Sequence, residues 1–224
     1  MARGGAVAGD DERLRVAICA AGRRLGSRGL ISAGEGNLSL RLAGGSLLTT
    51  PTGRRKDELA PADLATVPLD PTTGPAPGGP RPSSDIAIHR AIYRARPDVV
   101  AVVHAHLPAS MALTLAGEIP DPSALPETAF HLPVLPCVPF GAMGSDDLAA
   151  RVATAFSADA PAPVAVLLER HGAIAVGSAT SLGADREDSD LEAALVAAVD
   201  RLELVEVLCR TWRDAILIRT AQGR

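Results

Sequence analysis

The chain has 224 residues, 47 % of them hydrophobic and 2 % aromatic, and a formal net charge of -4. An acidic balance without a basic block argues against nucleic acid as a partner, and so few rings argue against stacking of single-stranded bases. With no apolar run of about 18 uncharged residues, no membrane span is expected. The first ten residues carry no basic-then-apolar leader, and Cys19, Cys137 and Cys209 have no paired spacing, which points to a reducing cytoplasm.

Residues 1–10 are expected to form a disordered tail and 11–224 a single domain, a length one core can serve. Leu14, Ala17, Ile18, Ala21 and Leu25 recur at helical spacing and predict a helix over 11–28, closed by Gly26 and Gly29. Gly34 to Leu42 then alternates polar with apolar, and Ser46 to Thr50 follows Gly44-Gly45, the pattern of a hairpin. Arg54-Arg55-Lys56-Asp57-Glu58 is expected to be solvated. Lys56 is the only lysine, so imine chemistry with a carbonyl substrate, which needs a desolvated lysine, is not expected.

Pro61 to Asp70 predicts a helical turn leading into a short strand, and the Pro- and Gly-rich stretch from Pro71 to Pro82 an exposed loop. Ser83-Ser84-Asp85 opens a helix to about Ala95. A strand over 99–106 follows, then a helix over 108–116, a Pro-rich stretch to Pro139 and a helix over 145–156. A strand over 164–168 precedes His171, and a helix over 188–219 closes the chain. Helices interleaved with hairpins and longer crossovers predict an α/β domain with a mixed, mainly antiparallel sheet.

Val99-Val100-Ala101-Val102-Val103-His104-Ala105-His106 carries the chemistry. Side chains two apart in a strand share a face, so His104 and His106 can hold one metal ion between them. His171, at the end of another apolar run and before Gly172, is the best third ligand, and three imidazoles with an exchangeable position suit a catalytic zinc. The plainer alternative is a pair of hydrogen-bonded imidazoles without metal. Asp85 reads either as a capping carboxylate at a helix start or as an oxygen ligand or general base. Ser83 and Ser84 at that helix start, with Asn37 and Thr50-Pro51-Thr52-Gly53 at turns, offer hydroxyl, amide and backbone donors that suit a small sugar phosphate better than a nucleotide.

The ordered succession Gly36-Asn37-x-Ser39, Thr50-Pro51-Thr52-Gly53, Pro82-Ser83-Ser84-Asp85, His89-x3-Tyr93, His104-x-His106-x-Pro108 and His171-Gly172 resembles the class II aldolase/adducin family from about residue 11 to 215. The resemblance implies a three-layer α/β/α sandwich and a homotetramer with sites between subunits. It also implies Zn2+ on His104, His106 and His171, and a phosphorylated sugar held by Asn37, Thr52, Gly53, Ser83 and Ser84. It implies further a retro-aldol cleavage to dihydroxyacetone phosphate and an aldehyde, with Asp85 moving the proton. The aldolase branch carries Glu where Asp85 stands and the epimerase branch Asp, and the tyrosine proton donor of both is missing, since Tyr93 falls at a packing position. Glu127 or His131 could substitute, and His89, one helical turn after Asp85, reads sooner as a packed imidazole than as an orienter of that carboxylate. A sugar phosphate epimerase, a decarboxylase or dehydratase, and a non-catalytic adducin-like scaffold are the alternatives on the same frame.

Overall fold

The computed structural model describes residues 7–73, 79–157, 160–179 and 187–223. Its strands are β1 (Asn37–Arg41), β2 (Ser46–Thr49), β3 (Ala65–Pro68), β4 (Val99–Ala105), β5 (Cys137–Val138), β6 (Ala165–Leu168) and β7 (Gly172–Ser178). Its helices are α1 (Val7–Ser27), α2 (Ile86–Ala95), α3 (Pro108–Leu115), α4 (Pro126–His131), α5 (Asp146–Phe156) and α6 (Asp188–Ala221). The strands form one sheet in the order β3-β2-β1-β4-β7-β6-β5. Every neighbouring pair runs antiparallel except β5 with β6. The sheet is therefore mixed and mainly antiparallel, as the chain's pattern predicts.

Helices cover both faces, because β4 and its neighbours are apolar on both. Val103 and Ala105 of β4 pack with Leu14 and Ile18 of α1, Leu113 of α3 and the apolar stripe of α6. Val99 and Val102 pack instead with Ile88 and Ile92 of α2 and with Val152 and Phe156 of α5. Leu191, Leu195, Ala198, Leu202 and Val205 recur every three or four residues, which keeps one stripe of α6 against the sheet. Gly177 of β7 lets that helix close in, since a Cβ there would strike the backbone of Ala194.

The structure departs from the sequence pattern in three places. The first helix starts at Val7, so residues 7–10 of the expected tail are helical; residues 1–6, and 74–78 of the expected loop, lie outside the described residues. Strand β7 is not foreshadowed by alternation, because Gly172 to Gly177 is buried on both faces and built of Gly, Ala, Ile and Val. The Pro-rich stretch contains α4 and the two-residue β5, both too short for a periodic signal.

Candidate active site

Asn37 and His104 are direct partners in the β1–β4 register, and Ser39 is paired with Val102, so all of these face α2. His89, on the inner side of α2, drops between the two β1 side chains. Its Nε2 lies 2.5 Å from Asn37 Oδ1 and its Nδ1 2.6 Å from Ser39 Oγ. Tyr93, one turn further on, donates its hydroxyl to the Ser39 carbonyl at 2.9 Å. The network is buried throughout: His89 and Tyr93 are each 1 % exposed. Burial pushes the His89 imidazole down to about 3, so it is neutral. Tyr93 is a packing residue, as its motif position implies.

Asp85 heads α2 but does not cap it. Its Oδ2 accepts from Asn37 Nδ2 at 2.9 Å and stands 3.3 Å from His104 Nδ1. Burial works to raise the pKa of Asp85, but the hydrogen bond and charge of His104, with the Asn37 amide, hold it well below the usual carboxylate range. The other oxygen, Oδ1, is buried with no partner among the described residues. His89 is buried against β1 and is linked to Asp85 through the Asn37 side chain.

His171 sits in the tight turn between β6 and β7, where its amide donates to Leu168 O at 3.0 Å. Gly172 follows at φ +84, and a Cβ there would come within 2.8 Å of His106 Cα and collide with Ala105 O. Only a glycine lets the turn press onto the end of β4, and that contact carries His171 to the other two imidazoles. Ring centroids of His104 lie 4.9 Å from His106 and 4.7 Å from His171, with His106 and His171 4.7 Å apart. One ligand atom of each lies within 4.8 Å of the others, so the three can hold one divalent ion.

The donor set fits such an ion. His171 Nε2 is buried without a hydrogen-bond partner among the described residues, and buried polar atoms seldom go unpaired. Burial, with the charges of His104 and His106, pushes His171 down to about 4, and burial likewise lowers His106, which leaves neutral imidazoles as ligands. Glu35, between two glycines, stands 3.4 Å from His106 Nδ1. No feature of the sequence marks it; the register that aims it at His106 is tertiary.

Beside the imidazoles lies a cavity of about 290 Å³ lined by Asn37, Thr52, Gly53, Ser83, Ser84, Asp85 and His106, together with Glu35 and Lys56. Two loops meet there because Ser83 N donates to Thr50 O, Thr52 N donates to Arg81 O, and Pro51 and Pro82 form an antiparallel bridge. All five residues expected to hold phosphate therefore line one wall system. Lys56 corrects the sequence expectation of a solvated side chain: it is 2 % exposed, and burial lowers its affinity for the proton. Its Nζ donates to Gly34 O and Arg54 O, contacts that composition alone does not reveal. Glu127 and His131 are exposed on α4 and are not among the residues lining this cavity.

The fold is an α/β/α sandwich in which three clustered imidazoles that could hold a metal ion and a buried carboxylate stand beside a polar cavity. The chain belongs to the class II aldolase/adducin family: the profile described as Class II Aldolase and Adducin N-terminal domain matches residues 16–212. It is 37 % identical over 178 residues to a 3-oxo-tetronate 4-phosphate decarboxylase of Cupriavidus necator, covering 78 % of this chain and 78 % of that protein. A methylthioribulose-1-phosphate dehydratase of Acidiphilium cryptum is 36 % identical over 191 residues, covering 79 % of this chain and 86 % of the relative. The crystal structure of l-fuculose-1-phosphate aldolase from Thermus thermophilus superposes with a TM-score of 0.75 at 32 % identity, covering 94 % of this chain and 96 % of that one.

Proposed function

We propose that this protein is a metal-dependent lyase acting on a small phosphorylated keto sugar, in which Asp85 moves the proton that accompanies breakage of a carbon–carbon bond next to the carbonyl. The observation that carries this is Asp85, which lines the cavity with Thr52, Gly53, Ser83 and Ser84, sets its Oδ2 3.3 Å from His104 Nδ1 and leaves its buried Oδ1 without a partner among the described residues. The names of the three relatives describe different outcomes on one chemical unit. In each substrate a phosphate-bearing carbon adjoins a carbonyl, and the carbon on the other side takes up negative charge as an aldehyde, carbon dioxide or proton leaves it.

The residues divide that work. Thr52, Gly53, Ser83 and Ser84, with Asn37, bind the phosphate and so fix where the carbonyl falls. His104, His106 and His171 would hold a divalent ion, for which Zn2+ suits three imidazoles, and when bound it draws electron density from the carbonyl as a Lewis acid. Ionised Asp85 takes the hydroxyl proton from the departing carbon and returns a proton to the carbon left behind, so that one carboxylate serves both steps of a retro-aldol cleavage. The released fragment is dihydroxyacetone phosphate. Assembly as a homotetramer with cytoplasmic residence is part of the same proposal.

Decarboxylation is the second reading, favoured by the 37 % identity to the decarboxylase and by the absence of tyrosine from the cavity lining. It needs no proton removed from the departing group. Both readings share one test. Metal-loaded protein in D2O is expected to exchange one hydroxymethyl proton of dihydroxyacetone phosphate, seen by proton NMR, and absence of exchange sinks both. Release of dihydroxyacetone phosphate from l-fuculose 1-phosphate or from 3-oxo-tetronate 4-phosphate then separates them.

A further inference from the structure

Lys56 is the only lysine of the chain and the only Lys or Arg among the residues that line the cavity. Its neighbours are engaged elsewhere: Arg54 pairs with Asp63 at 3.1 Å, and Arg55 with Asp57 at 2.7 Å and Glu58 at 2.8 Å, all on the exposed side of the loop. Lys56 turns inward. Its Nζ donates to Gly34 O at 2.7 Å and Arg54 O at 2.6 Å, the two loops that present Asn37 and Thr52-Gly53. An ammonium has three N–H donors, and the described residues supply acceptors for two.

Apart from the ion that the imidazoles would hold, the cavity collects negative charge. Asp85 and Glu35 both line it, and a phosphate ester adds up to two more charges. The hydroxyls and amides of Thr52, Gly53, Ser83 and Ser84 orient a phosphate but carry no net charge to offset it. A buried ammonium costs free energy to desolvate, and a backbone staple alone is a poor reason to keep one, since a neutral amide could donate to both carbonyls.

We infer that Lys56 is the specificity residue for the phosphate end of the substrate: it joins the two loops of the cradle and supplies the positive charge that makes the cavity accept a phosphorylated ligand over an unphosphorylated one. The inference rests on the phosphate cradle described under the proposed function. It predicts that charge, not the staple, sets phosphate affinity.

The test is calorimetric titration of metal-loaded protein with dihydroxyacetone phosphate and, separately, inorganic phosphate, using Lys56→Gln, Lys56→Arg and Lys56→Met. Lys56→Gln keeps donors for Gly34 O and Arg54 O but removes the charge. It is expected to weaken both ligands about 10- to 100-fold, the size of a charge-assisted hydrogen bond, at unchanged metal content. Lys56→Arg is expected to retain most of the affinity even if Lys56→Met fails to fold. Wild-type affinity in Lys56→Gln would overturn the role of Lys56 while leaving the cradle intact, as would a Lys56→Arg protein no better than Lys56→Gln. Failure of the wild type to bind either ligand would overturn the phosphate cradle itself and, with it, the role of Lys56.

Discussion

Asn37 faces His104 across the β1–β4 pair and ties it to Asp85: one side-chain amide donates to Asp85 Oδ2 at 2.9 Å and passes 3.4 Å from His104 Nδ1, while its oxygen takes His89. The amide's orientation then dictates that His89 carries its proton on Nε2 and accepts from Ser39 on Nδ1. Asn37→Ala strands a donor on His89 and removes a donor from Asp85. A loss of about 1–3 kcal/mol in urea unfolding is expected for leaving such groups unsatisfied, whereas metal content stays at the wild-type level.

Asp85→Asn keeps the shape of the carboxyl and removes its capacity to take a proton. Turnover is expected to fall about 10²- to 10⁴-fold, the usual span for loss of a general acid–base group. Since the imidazole cluster does not include Asp85, the variant retains metal; wild-type turnover in Asp85→Asn would remove Asp85 from the mechanism.

Gly172→Ala meets two obstacles at once, a φ of +84 and a Cβ placed against Ala105 O and His106 Cα. Strain of this kind costs on the order of 1–3 kcal/mol, and relief requires the turn bearing His171 to lift from β4. Metal affinity, measured by chelator competition, is therefore expected to drop together with the melting temperature. A variant with a lower melting temperature but undiminished affinity would show that His171 is placed by something other than this contact.

Glu35 stands 3.4 Å from Nδ1 of His106, one of the three imidazoles that would hold the ion. Carboxylates in that position hold an imidazole in the ligating orientation, and their loss weakens metal binding about 10- to 100-fold. Glu35→Ala is expected to show that drop in chelator competition, and Glu35→Gln to recover part of it. Equal affinity across all three proteins would reduce Glu35 to a wall of the cavity.

His89 makes stability depend on pH with a definite sign. Its folded-state proton affinity lies at about 3, against about 6.5 for an unperturbed imidazole. Between those values the unfolded chain binds the proton and the folded one does not, so stability is fully present above about pH 6.5 and declines as pH falls toward 3. One such proton contributes at most about 1.4 kcal/mol per pH unit. In metal-free protein the slope of unfolding free energy between pH 6.5 and 4.5 is expected to be shallower for His89→Gln than for wild type. Parallel slopes would mean that His89 is charged in the fold.

The parts of the site that lie on short ordered motifs were legible in the chain. His104 and His106 follow from strand alternation, and the Thr50–Gly53 and Pro82–Asp85 segments from their turn chemistry. Strand β7 was not, because a strand buried on both faces and rich in Gly and Ala has neither period nor propensity. Glu35 and Lys56 carried no signal either. A lysine in a charged stretch reads as solvated, and nothing singles out a carboxylate between two glycines, until the loops that bear them are seen to fold inward.

Residue spacing alone thus determined which chemistry this protein possesses: imidazoles two apart on a strand, a carboxylate after two serines at a helix start, and an order of motifs that marks its family. Tertiary structure decided what those groups do to each other. Whether Asp85 caps its helix or turns its carboxylate to Asn37 and His104 depends on the β1–β4 register. Whether three imidazoles meet depends on Gly172 closing against β4. Both are contacts between segments far apart in the chain, and local pattern carries no information about distances across a sheet.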